Sequence, residues 1–308
     1  MRQLPNILVT LLALLLVSNA NGANPSEWHD LQDEPQSGGM HHGTATALAR
    51  DYPIVFTKHL GGGSALFGLD LATGTSAQLT PAGEASEYAV WSPTGDRVFF
   101  LGGKADQIDL MALDAATGEI STVIANMSEP VSASPDGTSL LVMQRGEEDH
   151  SLFLFNLADE NMSPIDTGSS QDAYARWSGA GDAIAFESAR DGNPEIYRHV
   201  ISTGETMRLT ENDHLDEWPS PSPNGNWIAW ASGTEDEKHL WLMAADGSGK
   251  KQLTEDFLFG DAFPDWSPDG SQILLTVTEE DGPELVLVEV ATGKIARLGA
   301  GFAATWHR

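Results

Sequence analysis

The protein is a chain of 308 residues, of which 41% are hydrophobic and 20% are charged, a composition typical of folded globular proteins rather than disordered or fibrous ones. Its 45 Asp and Glu residues outnumber its 16 Lys and Arg residues and give a formal net charge of −29, which disfavours binding to nucleic acids and to anionic membrane surfaces. The chain contains no cysteine, which excludes disulfide bonds, thiolate metal sites and cysteine nucleophiles.

The first 20 residues have the pattern of a secretory signal peptide. Arg2 is followed by an apolar run from Ile7 to Val17, and small or polar residues end the segment at Ala20. The run is shorter than the ~20 residues that a membrane-spanning helix needs, although an uncleaved anchor remains the alternative. We therefore expect export to the periplasm. Residues 21–52 are rich in Pro, Gly and acidic residues without a sustained period, which predicts a flexible N-terminal segment.

A six-residue motif recurs through the rest of the chain at intervals of 42, 44, 44, 45 and 40 residues. We call its first residue the anchor, and most copies read Trp-Ser-Pro followed by a Gly-containing turn. A Thr-Gly turn follows the anchor by 27 residues in three of the copies. Two markers that keep the same phase indicate a structural repeat of about 43 residues. The anchors are Trp91, Ala133, Trp177, Pro221, Trp266 and Trp306.

Each copy contains four short segments with the alternation of β-strands. The anchor ends the first, a Ser-Pro-Asp-Gly turn leads into a second rich in β-branched and aromatic residues, and a polar loop separates the second from the third. After the Thr-Gly turn comes a short outer strand that ends in Leu-Thr. A four-stranded antiparallel unit repeated every 40–45 residues predicts an all-β fold, the β-propeller.

The phase of the markers also predicts how the ring closes. The Thr-Gly turn at Gly74 has no Trp anchor ahead of it, whereas Trp306 is an anchor with only two residues after it. We therefore expect residues 301–308 to supply the innermost strand of the N-terminal blade. The prediction is a single six-bladed propeller over residues 53–308 with no long free sheet edge.

Two stretches, residues 188–197 and 240–254, resemble the blade signature of TolB-type, WD40-like propellers, as does the motif at 265–270. The resemblance covers the propeller part only, because just residues 21–52 separate the predicted signal peptide from the propeller where TolB proteins carry an α/β domain. It implies a periplasmic propeller that binds partners of the cell envelope. Some related propellers are enzymes, such as oligogalacturonate lyases.

The acidic residues concentrate in the loops that join the second strand to the third and one blade to the next. In a propeller these loops emerge on one face, and they hold more than half of the acids. We expect that face to attract a protein or peptide with a cationic surface. The candidate partner-binding residues are five acids at the start of the innermost strands together with one loop histidine, namely Glu87, Glu129, Asp172, Asp216, Asp261 and His214.

Three of these acids, Asp172, Asp216 and Asp261, each stand five residues before an anchor. Pseudo-symmetry would place them around one mouth of the central channel, where carboxylate oxygens could hold Ca²⁺ or Mg²⁺. The alternative is that each aspartate caps a turn by accepting backbone hydrogen bonds. No cofactor is required by any other feature of the sequence.

Two functions follow from the sequence. The favoured one is a monomeric binding or scaffold module of the periplasm, because no nucleophile elbow, phosphate-binding loop or zinc-protease motif occurs. The alternative is a lyase or hydrolase that acts on saccharides or uronides with a divalent cation. In that case His214, Asp216 and Glu217 are the candidate catalytic residues, since a histidine among carboxylates can exchange protons.

Overall fold

The computed structural model describes residues 51–83, 85–104, 107–146, 149–255 and 263–307. The predicted signal peptide, almost all of segment 21–52 and the candidate residue Asp261 lie outside these ranges. Nearly all regular structure in the described residues is β-strand, and none of their helices has the length and apolar character needed to cross a membrane.

The strands form six four-stranded antiparallel sheets, which we number as blades 1 to 6. Blade 1 comprises β1 (Ile54–Leu60), β2 (Gly63–Leu69), β3 (Ser76–Gln78) and, as its innermost strand, β24 (Phe302–Trp306). Blade 2 contains β4 (Ala85–Trp91), β5 (Arg97–Lys104), β6 (Gln107–Asp114) and β7 (Ile120–Ile124), and blade 3 contains β8 (Ser132–Ala133), β9 (Ser139–Arg145), β10 (His150–Asn156) and β11 (Met162–Pro164). Blade 4 contains β12 (Asp172–Trp177), β13 (Ala183–Ser188), β14 (Glu195–Val200) and β15 (Glu205–Arg208). Blade 5 contains β16 (Leu215–Pro221), β17 (Trp227–Gly233), β18 (Lys238–Ala244) and β19 (Lys251–Gln252), and blade 6 contains β20 (Asp265–Trp266), β21 (Gln272–Glu279), β22 (Gly282–Glu289) and β23 (Ile295–Ala300).

The ring is closed by the C-terminal strand, as the phase of the repeat predicts. Strand β24 pairs with β1 in antiparallel register, with Trp306 opposite Ile54 and Thr305 opposite Val55. The main chain of His307 extends this pairing by donating to the carbonyl oxygen of Pro53 at 2.7 Å. The prediction of a six-bladed propeller closed by its C-terminal strand is confirmed.

Two side-chain hydrogen bonds explain why the repeat markers recur. The serine after the anchor accepts the N–H of the residue that starts the second strand, as Ser92 does from Arg97 at 3.0 Å, and this bond closes the turn. The threonine that stands two residues beyond the end of the outer strand is buried, and its hydroxyl accepts an N–H from the third strand. Those pairs are Thr80 with Leu66, Thr210 with Ile196, and Thr254 with Leu240, at 2.9, 2.8 and 3.0 Å.

The apolar core lies between neighbouring blades, because each sheet packs a face against the next. Trp266 of blade 6 is fully buried and donates its indole N–H to the carbonyl oxygen of Ser220 in blade 5 at 2.8 Å. Trp306 packs in one cluster with Ile54 of blade 1 and Leu274 of blade 6. The anchors therefore join adjacent sheets.

This packing leads us to expect a large loss of stability in the Trp306→Ala variant. Trp306 is 7% exposed in the closing strand, and removal of a buried indole leaves a cavity, for a loss of about 3–5 kcal/mol in the free energy of unfolding. The matched control is Trp227→Ala, since Trp227 is 38% exposed and its loss changes stability by about 1 kcal/mol or less. Chemical denaturation measures both, and equal losses in the two variants would contradict the role given to β24.

Candidate functional site

The innermost strands do not run straight along the channel. In four of them the residue three positions before the anchor has a positive φ, and the pairing with the adjacent strand shifts at the same place. A bulge of this kind redirects a side chain, and such bulges concentrate near functional sites. The four residues are Tyr88, Tyr174, Trp218 and Ala303, with φ of 53°, 52°, 53° and 48°.

Aromatic side chains cross the channel at the level of these bulges. Tyr174 of blade 4 and Phe263, just ahead of β20 in blade 6, meet edge to face with ring centroids 5.7 Å apart. Blade 5 stands between these two blades, so the rings meet across the channel. The guanidinium carbon of Arg176 lies 4.0 Å from the centroid of Phe263. We call Tyr174, Phe263 and Arg176 the aromatic layer.

The aromatic layer lies between the two ends of the channel. At one end lie the loops between second and third strands and the loops between blades, and we call this the loop face. At the other end lie the Ser-Pro turns that follow the anchors, and we call this the turn face. The predicted site residues within the described ranges lie toward the loop face.

Asp172 and Asp216 are buried within their own blades, with exposures of 1% and 0%. Asp172 accepts a hydrogen bond from Thr167 and forms an ion pair with Arg190, whose Nη2 lies 2.7 Å from Oδ1. Asp216 accepts from the indole of Trp230 at 3.0 Å and from the amide of Asn212 at 2.8 Å. Both carboxylates thus join the first strand to its neighbouring loop or strand.

The predicted cation site is only partly within the described chain. Asp172 and Asp216 already accept the hydrogen bonds given above, and Asp261 lies outside the described ranges. Within those ranges, no group of three or more His, Asp or Glu residues is arranged to hold a metal ion. A cation at Asp172, Asp216 and Asp261 therefore stays a prediction.

The glutamates four residues before an anchor are less buried, and each has a different partner. Glu87 accepts from the hydroxyl of Ser64 in blade 1 at 2.8 Å. Glu129 pairs with Arg145 at 2.9 Å, and Glu217 pairs with Lys238 at 2.6 Å. The ammonium group of Lys238 also lies 4.9 Å from the ring centroid of Trp218. These pairs surround the loop-side end of the channel.

The structure adds one acid that the sequence analysis missed. Glu187 lies in β13, is buried, and accepts the N–H of Trp218 in the neighbouring blade at 3.0 Å. Burial raises the pKa of Glu187 to about 8, and the negative charge of Glu217 acts in the same direction. The available signal was a glutamate directly after the apolar run Ile184-Ala185-Phe186.

Glu187 and the ion pairs form one group, which we call the channel cluster. Burial raises the pKa of Tyr174, and the charges of Glu129 and Glu187 add to the rise, while a hydrogen bond with Arg145 opposes it. The cluster therefore spans blades 3 to 5 and contains a carboxyl group that keeps its proton at neutral pH. Its members are Glu129, Arg145, Tyr174, Glu187, Glu217, Trp218 and Lys238.

His214 lies apart from this cluster on an exposed loop. In the described structure its hydrogen bonds come from the main chain, because its N–H donates to Asn212 Oδ1 at 2.7 Å and its carbonyl oxygen accepts from Asn193 at 2.5 Å. Asn212 in turn contacts Asp216. The structure thus links the loop of His214 to Asp216 through Asn212, while Glu217 belongs to the channel cluster. The roles of these residues in partner binding stay predictions.

The buried carboxyl group gives a pH-dependent prediction for Glu187→Gln. In the folded state Glu187 holds its proton up to a pKa of about 8, whereas in the unfolded chain it loses the proton near 4.3. The folded protein binds more protons in that window, so this residue makes stability fall as pH rises through it. Relative to the wild type, we expect the free energy of unfolding of the variant to increase by about 2 kcal/mol or more as the pH rises from about 5.5 to about 8.5.

The measurement is chemical denaturation at a series of pH values. Glu211→Gln is the matched control, because Glu211 is an exposed glutamate on the loop face, and its profile should follow the wild type. Parallel profiles for Glu187→Gln and the wild type would show that Glu187 is ionised in the folded protein.

Comparisons with known proteins agree with this fold. An uncharacterized protein of Agrobacterium fabrum is 26% identical over 200 residues, which cover 64% of this chain and 68% of that protein. A TolB homolog of Chlorobaculum tepidum is 30% identical over 117 residues, which cover 38% of this chain and only 26% of the homolog. The chain thus matches about a quarter of that relative's length.

Solved structures show the same architecture. TolB from Acinetobacter baumannii superimposes with a TM-score of 0.75 at 19% identity, over 82% of this chain and 66% of that one. An oligogalacturonate lyase in complex with manganese gives a TM-score of 0.56 at 18% identity, over 81% of this chain and 74% of that one. At these identities the likeness concerns the fold alone. The profile described as TolB beta propeller domain matches residues 116–300, more than half of the sequence, and the chain therefore belongs to the TolB β-propeller domain family.

Proposed function

We propose that this protein is an exported propeller that binds a protein partner of the cell envelope through its loop face. The observation that carries the proposal is a concentration of exposed carboxylates on the loops of blades 5 and 6, which we call the acidic patch. Its members are Glu211, Asp213, Glu235, Asp236, Glu237, Glu255, Glu280 and Asp281, all of them exposed.

The strand register brings these loops to one end of their blades. In blade 5, Leu215 pairs with Gly233, and Gly233 pairs with Lys238. The loop that carries Glu211 and the hairpin that carries Glu235 therefore emerge side by side. In blade 6 the hairpin between Glu279 and Gly282 emerges at the same end.

Lys238 and Arg297, two basic residues near the acidic patch, are engaged in ion pairs, and His239 Nε2 lies 3.5 Å from Glu237 of the patch. Lys238 pairs with Glu217 at 2.6 Å, and Arg297 pairs with Glu279 at 2.8 Å and with Glu284. These pairs match positive charges to acids outside the patch, so the charge of the patch itself is not cancelled by them. A surface of this kind raises the encounter rate with a cationic partner and selects against anionic ones.

Family membership supports a role in the envelope, because relatives of this family include a TolB homolog. Location in the periplasm rests on the predicted signal peptide. The alternative of a lyase or hydrolase acting through His214, Asp216 and Glu217 stays a prediction. Of these residues, Asp216 is buried and accepts hydrogen bonds from the side chains of Asn212 and Trp230.

The experiment compares two triple charge reversals in pull-downs from an envelope extract. Glu235→Lys, Asp236→Lys and Glu237→Lys change the loop face. Glu119→Lys, Glu160→Lys and Glu205→Lys make the same change in net charge at exposed positions on the turn face. We expect only the loop-face variant to lose partners, with association slowed about tenfold or more.

The same pull-downs are run at about 0.1 M and about 1 M salt, between which the Debye length falls from about 10 to about 3 Å. Partners of the acidic patch should be lost at high salt from the wild type as well. Retention of every partner by the loop-face variant, or equal losses from the two variants, would reject the acidic patch as the docking surface.

A further inference from the structure

A second, separate site lies at the opposite end of the channel. On the turn face the channel opens into a cavity of about 350 Å³, a size at the lower end of the range for small-molecule sites. One residue from each blade, the one directly before the anchor, lines its wall. These six residues are Val90, Ser132, Arg176, Ser220, Asp265 and Thr305.

The two charged members of this ring lie two blades apart, Arg176 in blade 4 and Asp265 in blade 6. Both also border the small space next to Phe263 and Tyr88, which places them at the inner end of the cavity against the aromatic layer. The cavity therefore has one positive and one negative residue on its wall near its inner end.

Both charged groups are held in place before any ligand arrives. The carboxylate of Asp265 is about nine-tenths buried and accepts the N–H of Trp306 at 2.7 Å and the hydroxyl of Thr305 at 3.0 Å. The guanidinium of Arg176 lies on the face of Phe263 and donates to the carbonyl oxygen of Val131 at 3.5 Å. Fixed groups lose little entropy on binding, which favours a small ligand.

The rim of the cavity is built from the Ser-Pro turns. Gly179 stands where other copies of the motif have proline, and a Cβ there would come within 2.0 Å of the carbonyl oxygen of Pro223 in the next blade. The turns of blades 4 and 5 are therefore in close contact at the rim of the cavity. A cavity of about 350 Å³ has room for a small molecule and not for a folded protein.

We propose that the turn-face cavity binds a small zwitterion, a free amino acid or a dipeptide. Arg176 binds its carboxylate and Asp265 binds its ammonium group. The guanidinium fork suits a carboxylate, and a net-neutral ligand is not repelled by a protein of net charge −29. An anion alone would meet that repulsion, and a cation alone would have to lie beside Arg176.

The test is a titration of the whole mature protein followed by intrinsic fluorescence, since Trp91, Trp177 and Trp306 line the cavity. The probes are L-alanyl-L-alanine and the free amino acids whose side chains are uncharged and not fluorescent. Two blocked compounds, N-acetyl-L-alanyl-L-alanine and L-alanyl-L-alanine amide, each lack one charge. We expect at least one zwitterion to give a saturable change. We also expect both blocked compounds to bind about tenfold more weakly than L-alanyl-L-alanine or not at all.

Variants assign the binding to this cavity. Arg176→Met keeps the apolar stem on Phe263 and should weaken binding about tenfold or more, and Arg176→Lys keeps the charge without the fork and should fall between that variant and the wild type. Arg198→Met, which removes a half-buried arginine from outside the cavity, should bind like the wild type. Thermal melting verifies that each variant is folded.

The inference is overturned if no zwitterion produces a saturable change in the wild type, a result that does not depend on the folding of any variant. It is also overturned if the blocked compounds bind as tightly as the zwitterion that binds best, or if Arg176→Met binds as the wild type does. Because the acidic patch lies at the other end of the channel, none of these results bears on partner binding by the loop face.

Discussion

The pairing of β24 with β1 is the interaction on which the rest of the structure depends. Each blade buries its apolar faces only against two neighbours, so a ring that lacks one contact exposes two sheet faces and two strand edges. The hydrogen bonds between residues 302–307 and 53–57 remove both edges at once. They also bring Trp306 between blades 1 and 6, where it joins the clusters of both.

Closure of the ring also creates the channel, and the channel is where the blades differ from one another. The bulges of the inner strands give Tyr88, Tyr174 and Trp218 the same backbone conformation in three blades. Tyr174 and Phe263 then meet across the channel and, with Arg176, lie between its two ends. The same backbone bulge thus recurs in a channel whose two openings differ chemically. The opening on the loop face has glutamates and their ion pairs beside it, and the opening on the turn face is lined by Arg176, Asp265 and hydroxyl groups.

The acidic residues fall into three physical classes that composition cannot separate. Asp172 and Asp216 are buried and hydrogen-bonded, so each stabilises contacts within its own blade. Glu187 is buried where ionisation is unfavourable, so it retains its proton. The members of the acidic patch are exposed, and only charges of that kind project a field into solution that a partner can sense. The net charge of −29 therefore says less about function than the place of each carboxylate does.

The sequence alone determined the fold, because strand periodicity and turn chemistry are local properties that recur in every copy. The spacing of Trp91, Trp177 and Trp266 set the blade length, and the surplus anchor Trp306 determined how the ring closes. It also placed Asp172 and Asp216 correctly at the start of inner strands. The burial of these side chains and their hydrogen-bond and ion-pair partners could not be predicted from the repeat, since they depend on side chains from other blades and from distant loops. Only the tertiary structure showed that Arg190 neutralises Asp172, that Trp218 contacts Glu187, and that Arg176 and Asp265 line one cavity. Periodicity specifies which residues occupy equivalent positions, whereas chemistry depends on which of them meet across the ring.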